Sequence, residues 1–351
     1  MWKKLLFSFL SLPLVVGCMR ENPEINAACE RRANGTYLIK WETFPPMEGT
    51  VKIYGSIRPD SFDLSSPVFE QDIRTGFRSI LPSTMSRMYF KLVFNRQYST
   101  TVAERRLPTQ GIFNFRDLGG YYNRERKQIQ WGKIYRSGSL GMATLYDRQF
   151  LSGLNIETLI DLRTEQESYL SPNKYKTPQV YNLPLRGNGH DIFFHEILSR
   201  KMQLRDILDY DRDVFSFMLE NNTDYLIRMF DVLLEEKNYP IVIFCSLGKD
   251  RTAIASALIL AALGVDEETV FEDYLLSNSL IDYHTLVHNA DNYSFDIQQT
   301  ITALFSAHTG TIRHAFKLIR TNYGSVNNYL EKELHLTGKK REKLKSILLN
   351  P

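Results

Sequence analysis

The sequence predicts a chain of two unlike parts: a small antiparallel β-sandwich, then a larger α/β domain whose largely parallel central sheet is flanked by helices. Three observations predict this. Between residues 35 and 106, short runs alternate apolar and polar side chains and are separated by turn residues. From 107 onward, apolar strand candidates alternate with helix-length stretches, the pattern of a parallel sheet covered on both faces. The length of 351 residues, 43% apolar and 24% charged, is that of an ordinary globular chain of about two domains.

Residues 1–18, MWKKLLFSFLSLPLVVGC, read as an export leader. Lys3 and Lys4 precede an apolar stretch, Leu5 to Val16, that falls short of the roughly 20 residues a bilayer span needs and suits a secretory leader. Val15-Val16-Gly17-Cys18 resembles a bacterial lipobox, whose cysteine is lipidated after cleavage. The expectation is an exported lipoprotein on the periplasmic or surface side of a bacterial cell envelope, held to the membrane by acyl chains on Cys18. Residues 19–34 read as a polar tether. The other two cysteines are Cys29, in that tether, and Cys245, too few for a disulfide framework. Basic and acidic residues nearly balance, 43 to 40, which gives no nucleic-acid footprint. KKREKLK at 339–345 reads as a solvated helix face.

Within 35–106 the strand candidates are YLIKWE (37–42), TVKIYGSI (50–57), MYFKLVFN (88–95) and STTVAERR (99–106), a texture that resembles a fibronectin type III or immunoglobulin-like module. In 107–351, ETLIDL (157–162) and PIVIF (240–244) read as buried strands. TDYLIRMFDVLLEEK (223–237) places Leu226, Ile227, Phe230, Leu233 and Leu234 on one stripe, with Asn222 available as N-cap. A nearly all-apolar helix over 252–263 ends at Gly264, and the next opens at Asp266.

The chemistry sits where PIVIF runs into CSLGKDRT, residues 245–252. A strand ends at Phe244, the chain turns through Ser246-Leu247-Gly248-Lys249-Asp250, and a helix begins near Thr252. Successive backbone amides in such a turn, backed by a helix N-terminus, make a concavity for an anion. Cys245 opens the turn, so the same amides and Arg251 stabilise its thiolate. Arg251 offers a planar fork for two phosphate oxygens. Ser246, Leu247, Gly248 and Lys249 would surround the phosphate, and Thr252 can donate to the sulfur or cap the helix. A Walker-type nucleotide loop is excluded, because Gly248-Lys249 is followed by Asp250 and position 243 is isoleucine.

C-x5-R between a strand and a helix resembles the signature of the cysteine-dependent protein tyrosine phosphatases, and CSLGKDRT resembles the loop of a bacterial branch of that superfamily. NFRDLGGY (114–121), GKIYRSGSL (132–140), TLIDLRTEQE (158–167), DYLLSN (273–278) and YGSVNNYL (323–330) resemble further blocks of that branch, in the expected order over about 107–350. The resemblance implies a phosphatase domain that needs no metal or cofactor. In it Cys245 attacks phosphorus, Arg251 and the loop amides hold the equatorial oxygens, and Asp250 is the usual general acid, with Asp161 and Asp117 as rivals. It implies a phosphorylated protein as substrate. Lys249 at the rim suggests a phosphoinositide as the alternative. Arg163 and Arg116 either line the phosphate pocket or form structural ion pairs with their neighbouring aspartates.

The pattern is broken at two positions. The branch usually carries histidine before the nucleophile and glycine after Arg-Thr, where this chain has Phe244 and Ala253. Phenylalanine cannot hydrogen-bond, so the expectation is a less well supported thiolate and slower chemistry. A phosphate-binding pseudoenzyme is the competing reading, against which stands the retention of Cys245, Asp250, Arg251 and Thr252.

Overall fold

A computed structural model describes residues 22–82, 86–187, 190–287 and 289–351, with only the backbone of 190–192. The leader and Cys18 lie outside the described residues. No helix among the described residues is long and apolar enough to cross a membrane.

The N-terminal part contains β1 (Glu24–Arg31), β2 (Tyr37–Phe44), β3 (Thr50–Ser56), β4 (Phe69–Asp72), β5 (Phe77–Ile80), β6 (Tyr89–Phe94) and β7 (Tyr98–Ala103). They form two antiparallel sheets, in orders β1-β2-β5 and β4-β3-β6-β7. Alternation turns Tyr37, Ile39 and Trp41 of the first sheet onto Val51, Ile53, Phe90, Leu92 and Phe94 of the second, in one buried cluster. The expected tether is corrected here. Residues 24–31 pair with β2 from Glu24 opposite Phe44 to Arg31 opposite Tyr37. The inward positions Ile25, Ala27 and Cys29 alternate correctly, but small alanines and flanking charges disguise the period. Cys29 is consequently a buried core thiol whose pKa is driven up by burial, then by the nearby Glu104 charge.

The remainder contains β8 (Arg116–Asp117), β9 (Ile134–Ser137), β10 (Thr158–Asp161), β11 (Gln179–Asn182) and β12 (Ile241–Phe244), in a five-stranded sheet of order β11-β10-β12-β9-β8. All pairs are parallel except β8 with β9. The helices relevant to the site are α1 (Leu145–Gly153), α2 (Glu165–Leu170), α3 (His190–Leu198), α4 (Leu204–Asn221), α5 (Thr223–Leu233), α6 (Asp250–Ala262) and α7 (Glu267–Leu275). Helix α6 is buried on nearly every face, which its apolar sequence requires. Asp266 caps α7 by accepting from the Glu268 amide. Asn222 precedes α5 but spends its side chain on residue 186, accepting from the Arg186 amide and donating to its carbonyl.

A polar and aromatic seam joins the two parts. Arg87, just before β6, donates to Asp117 Oδ2 at 2.7 Å and to the Glu104 carbonyl, and both side chains of the ion pair are nearly inaccessible. Asp117 also accepts from the amides of Gly119 and Gly132. The Trp131 indole donates to the Thr101 carbonyl, and Arg105 stacks over Tyr121. Asp117, a rival for the general acid in the sequence, is therefore an inter-part structural carboxylate. Asp117→Asn strands a buried guanidinium charge, which costs on the order of 3–5 kcal/mol. The expected result is a melting temperature lower by several degrees, read by tryptophan fluorescence, with little loss of turnover at 25 °C. A loss of turnover in protein that still melts normally would return Asp117 to the chemistry.

Candidate active site

The site lies at the carboxyl ends of β12, β10 and β9, where open α/β sheets present their loops. Cys245 follows β12, and residues 246–249 make the turn into α6. Each carbonyl of that turn is held from outside. The Ser139 amide donates to Ser246 O, and Asn114 Nδ2 donates to Leu247 O and, at 2.7 Å, to Gly248 O. Arg136 Nη2 donates to Gly248 O at 2.8 Å and to Lys249 O. Because a trans peptide points its N–H opposite its C=O, outward carbonyls turn the amides inward. Among the described residues the amides of Ser246 to Lys249 donate to no protein group. Gly248 has φ +67°, and a Cβ there would run into the backbone of Ser137 and Gly138, so only glycine fits this turn.

A buried charge cluster supports the carbonyl holders. Arg136 donates to Asp273 Oδ2 at 2.5 Å, while Arg116 donates to Asp273 and to the side chain of Asn114. Burial alone would raise the pKa of Asp273, but the two guanidiniums hold it well below the usual carboxylate range. Arg116 is fully buried in this cluster, beneath the loop, and is not a pocket residue.

Arg251, on the first turn of α6, is clamped by a residue the sequence did not single out. Its Nη1 and Nη2 donate to the two carboxylate oxygens of Glu167, each at 2.6 Å. Nη2 also donates to Ser246 Oγ at 3.3 Å, so the guanidinium is held beside the cysteine loop from two sides. Glu167 Oε1 also accepts from Ser246 Oγ at 2.5 Å. Burial pushes the Glu167 pKa up, but Arg251 and Ser246 outweigh it and keep the carboxyl strongly ionised. Glu167 serves twice, for its Oε2 also caps α2 by accepting from the Thr164 amide.

The other predicted site residues divide. Asp250 opens α6 beside the cysteine loop and is nearly buried. Lys249 is corrected. Its ammonium turns away from the rim and donates to the carbonyls of Leu304 and Ser306, 3.4 Å from Asp250 Oδ1. Asp161 is corrected too: its oxygens accept from Arg163 Nε and Nη2 at 2.9 and 2.7 Å, and from Ser168. Arg163 spends its other hydrogens on Ser139, Ser171 and Asn173. The pair is thus a buried brace, outside the pocket that opens over the cysteine loop. The Thr252 hydroxyl neither donates to the sulfur nor caps the helix, and has no partner among the described residues.

Phe244 points away from Cys245, as strand alternation demands, into a cluster with Leu107, Ile112, Phe115 and Tyr135, beneath the Arg163 guanidinium at 5.2 Å. A histidine here would place an imidazole in an apolar pack next to a fixed cation. The carbonyl tethers do without it.

A pocket of about 160 Å³ opens over the loop, lined by Glu167, Ser246 and Leu247 on one side and Phe194, Leu286, Val287 and Phe305 on the other. Its walls are apolar and its floor polar, a shape suited to a flat ring carrying an anion.

Residues 107–350 match the profile of the tyrosine phosphatase family. A Cupriavidus necator protein that carries a tyrosine-protein phosphatase name is 26% identical over 231 residues, covering 64% of this chain and 82% of its own length. The triple specificity protein phosphatase of Mycobacterium tuberculosis is 27% identical over 203 residues, 51% of this chain and 71% of that one. The crystal structure of the core catalytic domain of a PP-IP phosphatase from S. cerevisiae, in complex with citrate, covers 56% of this chain and 89% of its own at 18% identity, with a TM-score of 0.25, too low to bear on the fold.

Proposed function

This chain belongs to the tyrosine phosphatase family, and from that premise we propose that it hydrolyses phosphotyrosine in proteins through a phosphocysteine formed on Cys245. The observation that carries the reading is the inward-facing loop, whose carbonyls are all tethered outside while Glu167 clamps Arg251 beside it. The sulfur attacks phosphorus as the P–O bond to the phenol breaks. Loop amides and Arg251 hold the equatorial oxygens, where charge accumulates in the transition state. Asp250 protonates the departing oxygen, then takes a proton from the water that releases phosphate and restores the thiolate. Phe194, Leu286 and Phe305 would flank the aromatic ring.

The phosphoinositide alternative rested on Lys249, whose ammonium is spent on backbone carbonyls. Among the described residues the pocket lining contains no lysine or arginine to meet a second phosphate. A panel of phosphotyrosine peptides, phosphoserine peptides and phosphoinositides, with Cys245→Ser as blank, tests this. Phosphotyrosine is expected to lead, and a higher kcat/KM on a phosphoinositide would overturn the assignment.

We also propose that residues 1–18 are a lipoprotein leader, that Cys18 carries the acyl chains, and that the enzyme works outside the cytoplasm on an envelope membrane. Residues 24–106 are then a fibronectin III- or immunoglobulin-like sandwich, an idea supported by two antiparallel sheets sharing one apolar core. Cys18→Ser is expected to lose labelled palmitate and move to the soluble fraction. A variant still sedimenting with membranes would exclude this anchor.

A further inference from the structure

Asn22, just before β1, is exposed, and its carbonyl accepts from Arg126 Nη1 at 3.4 Å. Arg126 belongs to a tight turn, residues 123–127, in which Asn123 Oδ1 accepts from the amides of Glu125 and Lys127. That turn is fixed to the far end of α6: Asn123 Nδ2 donates to the Leu263 carbonyl, and the Arg124 amide to that of Gly264. The 13 residues of α6 separate it from the cysteine loop, a length of about 20 Å. Sheet topology agrees. The turn leads into the start of β9, whereas Cys245 follows the end of β12, and those two strands run parallel. The site and the turn therefore occupy opposite edges of the sheet.

Basic side chains gather at this second edge. Arg124, Arg126 and Lys127 are all exposed. Arg124 pairs with Asp266 at 3.5 Å, while Arg126 and Lys127 form no ion pair among the described residues. Lys345, on the helix Gly338–Leu348, joins the turn by reaching Glu125 at 3.2 Å, and it also pairs with Glu342. Arg341 lies one turn before Lys345 on the same face. Lys340 and Lys343 turn instead to Asp231 and Glu235. Five cations thus face three carboxylates, and the excess is positive. So small an excess cannot hold a protein on a membrane, but it can orient one that acyl chains already hold.

We propose that the turn at 123–127, with Arg341 and Lys345 beside it, rests on the anionic headgroups of the anchoring membrane, so that the phosphate pocket opens away from the bilayer. The proposal rests on the reading of Cys18 as the lipidated residue. Only Met19, Arg20 and Glu21 stand between Cys18 and Asn22, so the anchor is covalently confined to within about 14 Å of Asn22. Asn22 in turn touches the basic turn directly. The short leash keeps that turn near the surface, where the negative potential of the headgroups acts. Cys245 is then lifted by about the length of α6, out of reach of lipid phosphates in the same membrane. The site is left facing soluble or peripheral phosphoproteins, which accords with the phosphotyrosine assignment.

The test is lysine modification by a water-soluble acylating reagent, read by mass spectrometry. It uses protein purified from membranes and placed in vesicles of phosphatidylcholine alone or with phosphatidylglycerol. Lys127 reports the turn. Lys174, exposed at the cysteine-loop edge where its amide meets the Leu140 carbonyl, reports the opposite side. Modification of Lys127 is expected to slow by on the order of tenfold on the anionic vesicles relative to the neutral ones, with Lys174 unchanged. Arg126→Glu, which reverses one charge of the turn, is expected to remove that protection. Protein that floats with both vesicles but shows equal Lys127 rates overturns the proposal and leaves the anchor standing, as does protection of Lys174 in place of Lys127. Protection that survives Arg126→Glu also overturns it, since the contact would not be electrostatic. Protein that fails to float with neutral vesicles overturns the reading of Cys18 instead, and the proposal with it.

Discussion

Cys245→Ser is expected to lower turnover of an aryl phosphate by at least about 10³-fold while vanadate still binds within about tenfold of the wild-type affinity. The reasoning starts from what the loop stabilises. Its amides and Arg251 are arranged around an anion, and a cysteine placed there can ionise, whereas a serine hydroxyl cannot do so usefully. Glu167 is not set to take the proton from a serine at this corner, because it is committed to Arg251 and Ser246. The anion cradle does not depend on the sulfur, for its carbonyl tethers come from Ser139, Asn114 and Arg136. Turnover surviving the change would remove Cys245 as nucleophile. Vanadate binding lost together with turnover would mean that the cradle is built differently.

Glu167→Gln is expected to reduce kcat by about 10²-fold with a smaller effect on KM. Glutamine keeps the shape but offers one oxygen and one NH₂ group, so one of the two Arg251 contacts becomes donor against donor. The guanidinium then rotates off its alignment beside the cysteine loop. Displacement of a transition-state contact by an ångström costs about this much. The sign of the pH effect follows from the direction of the shift. Glu167 has a folded pKa depressed below its unfolded value, so the pairing is intact above the ordinary glutamate range and fails only as pH falls through the depressed folded value. Steady-state kinetics from pH 5 to 8 should therefore show no acid limb from Glu167. If Glu167→Gln matched wild-type kcat, Arg251 would need no clamp.

What could be read in the chain beforehand was what is local. The cysteine, the glycine turn and Arg251 fall within seven residues, and the physics of a strand-to-helix corner fixes their meaning. The supporting residues come from afar, and each had a plausible local explanation that hid its role. Glu167 looks like the fourth letter of a capping box opened by Thr164, and it is one, but the same carboxylate reaches Arg251. Lys249 advertised charge at the rim, yet sequence carries no sign for the direction of a four-carbon stem, and the carbonyls at 304 and 306 drew it inward. Arg136 and Asp273 lie 137 positions apart and become a pair only in the folded sheet. Asp161 with Arg163 was readable as an ion pair from adjacency, and is one.

In the N-terminal part the longer runs were recognised because alternation persists across them, as in β2 and β6. The four-residue strands β4 and β5 are too short for a period to emerge. Strand β1 was hidden by its small inward residues. Its pairing is carried by the backbone, to which composition is blind.

The two-residue strand β8 faces both ways. Arg116 turns toward Asp273 and the underside of the cysteine loop, and its neighbour Asp117 turns toward Arg87 across the seam. A fragment beginning at 107, where the catalytic half looks separable on paper, would leave the Asp117 carboxylate in a dry socket without its cation and open Trp131 and Tyr135 to water. The module in front is therefore half of the wall against which the enzyme is built, and the natural cutting point in the gene is not a cutting point in the protein.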